Sequence, residues 1–423
     1  MQTQITTLEN GLRIITATRK ETETVSLGIW INTGSARETE EINGMSHLLE
    51  HMVFKGTPTR TSFQIDAEIE DAGGQSNAYT AREITSFYAK MLKADAELAL
   101  DVLSDIVLNA RFPEEELVKE RDVVIQEIKQ TIDTPDDIIF DYAQAEAFKG
   151  QALGRTILGP AEKIATYGSQ DLRNYREKFY CTQNMCVCAV GNIEHDAFVR
   201  MVKTRFEHLP KSNNGATPEQ HYVGGCYAEE RDIEQAHVLL AFEGVSYHDK
   251  DYYSAAILSA ILGGGSTSRL FQEIREKRGL VYTVYSFINA HSMSGLFGIY
   301  AGTTRQELQQ VIPVVAEEIQ KIKTQDVSDE ELKRAKTQFK ASMLMGLESS
   351  STTSEIYARQ MLVFNRIIPT EEMVAKIEAV SKEDIKRIAC RIFESKPTYT
   401  LVGDIAGYPS YEDLQKLLKI KEK

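Results

Sequence analysis

The sequence predicts an α+β fold: two homologous domains, each a largely antiparallel sheet packed with helices. Three observations lead there. The chain has 423 residues, 42% of them hydrophobic, more than one ordinary core supports. Near its midpoint, "EHLPKSNNGATPEQHYVGG" (207 to 225) has the Ser, Asn, Gly and Pro content of a linker or long surface loop. On either side of it the same order of elements can be followed, which is the mark of an internal repeat. The expected division is 1–210 for the first domain, 211–225 for the linker and 226–423 for the second.

The first half begins this plan with a strand-like "VSLGIWINTG" (Val25 to Gly34), the second with "AHVLLAFEGV" (Ala236 to Val245), and a helix follows each. Next come alternating runs rich in aromatic and β-branched residues, "QSNAYTAREITSFYAKM" and "VYTVYSFINAHSMSGLFGIYAG". Long amphipathic helices come after them. Phe112 to Ile128 corresponds to Val327 to Met343, each with an acidic start just after Pro or Ser. Laid side by side without gaps, these helices set Glu120 opposite Ala335 and Glu127 opposite Ser342.

Composition narrows the function classes. With 48 Lys and Arg against 62 Asp and Glu, the net charge is -14, and no basic stretch marks a nucleic-acid binder. An acidic surface favours basic ligands, or serves solubility alone. No run approaches the ~20 apolar residues of a membrane helix, and "MQTQITTLENGLRIITA" lacks a basic region followed by an apolar one, so the chain reads as soluble and not exported. Cys181, Cys186, Cys188, Cys226 and Cys390 are too few and too scattered for a disulfide framework, which fits a reducing cytoplasm. Cys186 and Cys188 alternate onto one strand face and read as core filler.

The polar exception to an apolar helix is "HLLEH", residues 47 to 51. Positions i and i+4 share a helix face, so His47 and His51 can aim at one point, the arrangement a zinc ion needs. Glu50 lies on the same face and could take a proton from the attacking water. The order H-x-x-E-H is a metallopeptidase motif. The second half's "YYSAAILSAILGGGS" has neither histidine nor glutamate there. A third ligand is required, and Glu120 and Glu127, seven apart on one helix face beside Val123 and Val124, are the candidates. The expectation is Glu127 as ligand, with Glu120 orienting a histidine through its other ring nitrogen. His195, His208, His221, His237, His248 and His291 are scattered and receive no role. "ILGGGSTSRL" lacks the Lys of a phosphate-binding loop.

Taken together, "GMSHLLEHMVFKGT", "GGQSNAYTAREITSFY", "ERDVVIQEI" with Glu127 placed 76 positions after His51, and "GGGSTSRLFQEIREKRGLVYTV" identify a resemblance. The chain resembles the M16 family of zinc metallopeptidases, the pitrilysin, insulin-degrading-enzyme and mitochondrial-processing-peptidase group, and most of all its bacterial processing-peptidase-like branch. The resemblance implies one Zn2+ per chain held by His47, His51 and Glu127, with Glu50 as general base and Glu120 in support. It implies substrate contacts from Arg275 and Tyr282, the latter stabilising the developing oxyanion; by themselves these two read as a surface charge and a core aromatic. It also assigns peptide binding to the strand around Asn77, Ala78 and Tyr79, where an exposed edge can add an extended peptide by β-augmentation.

Family precedent is a chamber of four such domains, which implies a homodimer with Arg275 and Tyr282 of one protomer facing the zinc of the other. Unfolded peptides, presequence-like ones among them, would be the substrates. A catalytically silent subunit of a family heterodimer is the rival reading, although silent members typically lose the ligands that are all present here. A structural zinc would need a fourth protein ligand, and none lies nearby in sequence.

Overall fold

The computed structural model describes residues 2–213, 215 and 217–420, and the chain divides into two compact units. The first comprises Met1–Lys129, Arg155–Pro218 and Met345–Ile367; the second comprises Gln130–Gly154, Glu219–Leu344 and Ile368–Lys423.

The first unit is built on six strands: β1 (Gln2–Thr7), β2 (Arg13–Thr18), β3 (Thr24–Ile31), β4 (Gln75–Thr80), β5 (Thr85–Leu92) and β6 (Met185–Gly191). They lie in the order β1-β2-β6-β3-β5-β4, with β2 and β6 parallel and all other neighbours antiparallel. Between β3 and β4 come α1 (Met45–Val53) and α2 (Ser62–Asp71), and after β5 come α3 (Ala96–Asn109), α4 (Glu114–Ile132) and α5 (Pro135–Ala147). β3 and β6 read as continuous apolar runs rather than alternating ones because both faces of the sheet are covered. On one face Val25, Leu27, Ile29 and Val187 join Leu100, Leu103 and Val107 of α3. On the other, Trp30, Cys186, Cys188 and Val190 meet Tyr357, Ala358 and Met361 of the helix Ser350–Phe364. Cys186 and Cys188 are core residues on one strand face, as their alternation predicts.

The second unit repeats this plan with β7 (Gly225–Glu230), β8 (Ala236–Glu243), β9 (Thr283–Ala290), β10 (Gly295–Thr303) and β11 (Thr398–Gly403). Their order, β7-β11-β8-β10-β9, matches β2-β6-β3-β5-β4 strand for strand, with the parallel pair at the same place. The repeat seen in the sequence is therefore a repeat of topology.

A cut at 211–225 separates the two sheets but not the helices that cover them. α5, from the first half of the sequence, lies on β8, β11 and β7, where Ile139 and Ala143 pack with Leu239, Tyr300 and Val402. The helix Ser350–Phe364, from the second half, lies on β6 and β3 of the first unit. Each half thus lends the other a helix. An amphipathic pattern says that a helix has an apolar face, not which of two similar sheets that face will cover.

Candidate metal centre

α1 is short, and its start is fixed from outside. Gly44 precedes it at φ 90°, where a Cβ would come within 2.6 Å of the Leu158 carbonyl oxygen, so only glycine fits. No side chain of the helix caps its first amides. Instead the buried Glu38 carboxylate accepts from the N–H groups of Gly44 (2.8 Å) and Ser46 (2.7 Å) and from Asn43 Nδ2 (3.0 Å). A carboxylate at a helix N-terminus answers both the orphan amides and the helix dipole. Burial holds the Glu38 carboxyl above its ordinary range, against the hydrogen bonds from Ser46, Asn43 and Gly44. With Met45, Leu48, Leu49, Met52 and Val53 turned into the core, the remaining face of α1 presents His47, Glu50 and His51.

α4 supplies the carboxylates that meet this face. Glu127 Oε2 lies 3.7 Å from His47 Nε2 and 3.6 Å from His51 Nε2. The three ligand atoms fall within 4.8 Å of one another, the sole cluster of its kind among the described residues. A tetrahedral zinc with ligands at about 2.0–2.1 Å separates its donors by roughly 3.3 Å, so the two distances to Glu127 are within a few tenths of an ångström of what a zinc ion needs, and the trio is compact enough to close on one.

Glu120, one turn-pair earlier on α4, is 7% exposed. It makes a 3.0 Å hydrogen bond to His51 Nδ1 and a 2.7 Å ion pair with Lys55 Nζ. That partner turns the opposite ring nitrogen of His51 toward Glu127, which is how an outer carboxylate fixes a metal-binding tautomer. His47 Nδ1, by contrast, is buried and has no hydrogen-bond partner among the described residues. Burial, with the neighbouring His51 ring 4.7 Å away between centroids, lowers His47 to about 3, so its imidazole is neutral and able to bind metal across the physiological range.

Glu50 points from α1 to the edge of the sheet. The hydroxyl of Thr80, the last residue of β4, donates to Glu50 Oε2 at 2.5 Å. Burial holds the Glu50 carboxyl above its ordinary value and Glu127 adds to this, while the Thr80 hydrogen bond and His51 oppose it.

β4 is the outer strand of its sheet, paired on one side alone with β5. It follows Gly73 at φ 71°, the turn expected from "GG". Asn77 is exposed, and its Oδ1 accepts from the Ala78 N–H at 2.8 Å. The Tyr79 hydroxyl donates to Glu355 Oε1 at 2.5 Å.

Arg275 and Tyr282 belong to the second unit. The Arg275 guanidinium lies 4.9 Å from the ring centre of Phe271, and Tyr282 is 65% exposed while its N–H donates to the Gly302 carbonyl at 3.0 Å. A core aromatic is therefore the wrong description of Tyr282. Of the histidines without a role, His195 sits between the Thr6 and Thr16 hydroxyls and His237 against the Tyr300 hydroxyl.

Glu38, Lys55, Thr80 and Glu355 escaped sequence reasoning. Lys55 and Thr80 sit within quoted motifs but carry no pattern of their own. Glu38 and Glu355 are brought to the site by the fold, and a lone glutamate gives no signal of that.

The fold and this donor set together describe a two-domain zinc-peptidase architecture. Residues 13–161 match the profile described as Insulinase (Peptidase family M16), and residues 167–339 match that described as Peptidase M16 inactive domain. The chain belongs to peptidase family M16. Within it, the chain is 37% identical over 407 residues to an uncharacterized zinc protease of Rickettsia felis, covering 96% of this chain and 98% of the relative. It is 35% identical to the uncharacterized zinc protease YmxG of Bacillus subtilis, covering 96% and 99%. It is 34% identical over 432 residues to a probable mitochondrial-processing peptidase subunit beta of Arabidopsis thaliana, covering 98% and 81%. A crystallised protease from Helicobacter pylori shares the fold, with a TM-score of 0.88 at 22% identity, covering 95% of this chain and 99% of that one. Among the described residues no helix is long and apolar enough to cross a membrane.

Proposed function

We propose that this protein is a zinc-dependent endopeptidase of the H-x-x-E-H kind, acting on unfolded peptides, presequence-like ones among them, inside an enclosed chamber. The observation that carries this reading is the convergence of His47, His51 and Glu127 on one point with Glu50 beside them. His47, His51 and Glu127 would hold one zinc ion, and Glu120 would keep His51 oriented. The ion supplies Lewis acidity, polarising the scissile carbonyl and lowering the pKa of the attacking water.

The chain's own residues do the rest. Glu50 accepts the water's proton at Oε1, the oxygen left free while Thr80 holds Oε2, and passes it to the leaving amine. The edge of β4 receives the peptide as an added strand around Asn77, Ala78 and Tyr79, so recognition is of extended backbone more than of sequence. For that addition the Asn77 side chain must release the Ala78 N–H. Arg275 and Tyr282 complete the substrate contacts, and Tyr282, being exposed, is accessible to a peptide. Tyr282 is the residue assigned to the oxyanion.

Two family domains make half of a four-domain chamber, so the chain works as a homodimer in which Arg275 and Tyr282 of one protomer face the zinc of the other. Five free cysteines support a reducing, cytoplasmic setting. The complete ligand trio speaks against a silent subunit.

One experiment tests the reading. Purified protein should run as a dimer, carry about one zinc per chain, lose peptide cleavage to a chelator and regain it with zinc. Glu50→Gln should keep its zinc while kcat falls by at least ~10²-fold. Normal turnover in that variant, or a zinc-loaded wild type that cleaves no unstructured peptide, defeats the assignment.

A further inference from the structure

The ungapped register that sets Glu120 opposite Ala335 and Glu127 opposite Ser342 also sets Phe140 opposite Glu355. Those two residues hold the same place in the two exchanged helices, α5 and Ser350–Phe364, each the sixth residue of its helix counted from Pro135 or from Ser350. In the second unit that place is apolar: the Phe140 ring lies 5.6 Å from Phe287 of the edge strand β9 and 5.6 Å from Tyr300 of β10. In the first unit it is a carboxylate. Glu355 Oε1 accepts from the Tyr79 hydroxyl (2.5 Å) and from Arg359 (2.9 Å), and Glu355 Oε2 accepts from Trp30 Nε1 (2.8 Å).

The geometry spans three strands. Trp30 is on the central β3 and Tyr79 on the edge β4, with β5 between them, so one carboxylate ties the edge of the sheet to its middle. Across the intervening strand, the Tyr79 and Tyr88 rings lie 6.4 Å apart. An edge strand has backbone hydrogen bonds on one side alone and is the least restrained strand of a sheet. Hydrogen bonds to an ionised carboxylate are roughly twice as strong as neutral ones. On the next residue, and from the opposite face of the strand, Thr80 reaches Glu50. β4 is thus gripped on both faces at consecutive residues.

We infer that Glu355 is a positioning residue for peptide binding: by holding Tyr79 against Trp30 it keeps β4 at the place and pitch where an extended peptide can add to it. The inference rests on the reading of β4 as the peptide-binding edge. The restraint is set before the peptide arrives, so its loss weakens binding and leaves the metal ligands and Glu50 in place.

The test is a kinetic and binding comparison of Tyr79→Phe, Glu355→Gln and the double variant, using the unstructured fluorogenic peptide that wild type cleaves fastest. Both single substitutions keep size and packing, which protects the fold where Glu355→Ala would strand Trp30 Nε1. Expected are a rise in KM of about three- to tenfold in each single variant, kcat within about twofold of wild type, unchanged zinc content, and a double variant no worse than the weaker-binding single. In a Glu50→Gln background, which removes turnover, the Kd for the same peptide should rise by the same factors. KM and Kd within about twofold of wild type in Tyr79→Phe, or effects that multiply in the double variant, overturn the role of Glu355 while leaving the peptidase reading intact. A wild type that neither cleaves nor, as Glu50→Gln, binds any peptide removes the site assignment itself, and the role of Glu355 with it.

Discussion

The two sheets share one strand order, and the helices that follow their central strands do opposite things with it. In the second unit the helix Tyr252–Gly263 is buried on nearly every side, from Ser254 to Gly263, and offers no polar face. In the first, α1 buries Met45, Leu48, Leu49, Met52 and Val53 and leaves His47, Glu50 and His51 at the boundary of the core. The difference repeats on the partner helices. Glu120 and Glu127 of α4 meet α1, while the corresponding Ala335 and Ser342 bring neither charge nor ligand. The exchanged helices invert the pattern, with Phe140 in the second unit and Glu355 in the first. Whichever half of the chain supplies it, the carboxylate ends in the first unit. A duplicated scaffold needs a polar constellation in one copy alone, and the other copy is free to replace it with packing.

The largest way to break this contrast short of removing the metal is to give α4 the chemistry of its counterpart. Glu120→Ala puts at that position the residue the second half has there. Zinc affinity should fall about 10- to 100-fold, since His51 loses the partner that fixes its tautomer and Lys55 loses its counter-charge. Competition with a chelating dye measures this, and an unchanged affinity would make Glu120 a packing residue like Ala335.

A smaller effect is expected one shell further out. Thr80→Val removes the hydroxyl that holds Glu50 Oε2 while keeping the β-branched shape of the strand end. kcat should fall about tenfold with KM and zinc content unchanged, and Thr80→Ser should recover most of the loss. A drop in the serine variant with none in the valine variant would mean that the methyl packing, not the hydrogen bond, matters.

How much of this was open to reading in the sequence depends on how local each signal is. His47, Glu50 and His51 lie within five residues, and helix periodicity alone puts them on one face. Glu127 stood out because its counterpart in the repeat is Ser342. The strand repeat was legible because alternation and turn composition are local patterns as well. The helix exchange was not, since α5 and Ser350–Phe364 each carry an apolar face that suits either sheet. Glu355 was hidden for the same reason: until the helix that bears it is placed on β3 and β6, it is one acidic residue among 62 Asp and Glu. Glu38 reaches the start of α1 through a loop whose path no periodicity encodes.

The smallest effect separates the two exchanged helices most sharply. Phe140 and Glu355 correspond in sequence and in place, yet one contributes ring packing and the other a charged hydrogen-bonding centre. Phe140→Leu keeps an apolar side chain and removes the ring contacts, tilted with Phe287 and stacked with Tyr300, a contribution of about 0.5–1.5 kcal/mol beyond area burial. Thermal or urea unfolding should therefore report a loss of about 1 kcal/mol, while KM and kcat stay within about twofold of wild type. If Phe140→Leu instead raised KM as Glu355→Gln is expected to, any loosening of an exchanged helix would suffice to impair peptide binding. The special role would then lie with the exchange itself and not with the carboxylate that the second half of the chain places beside Tyr79.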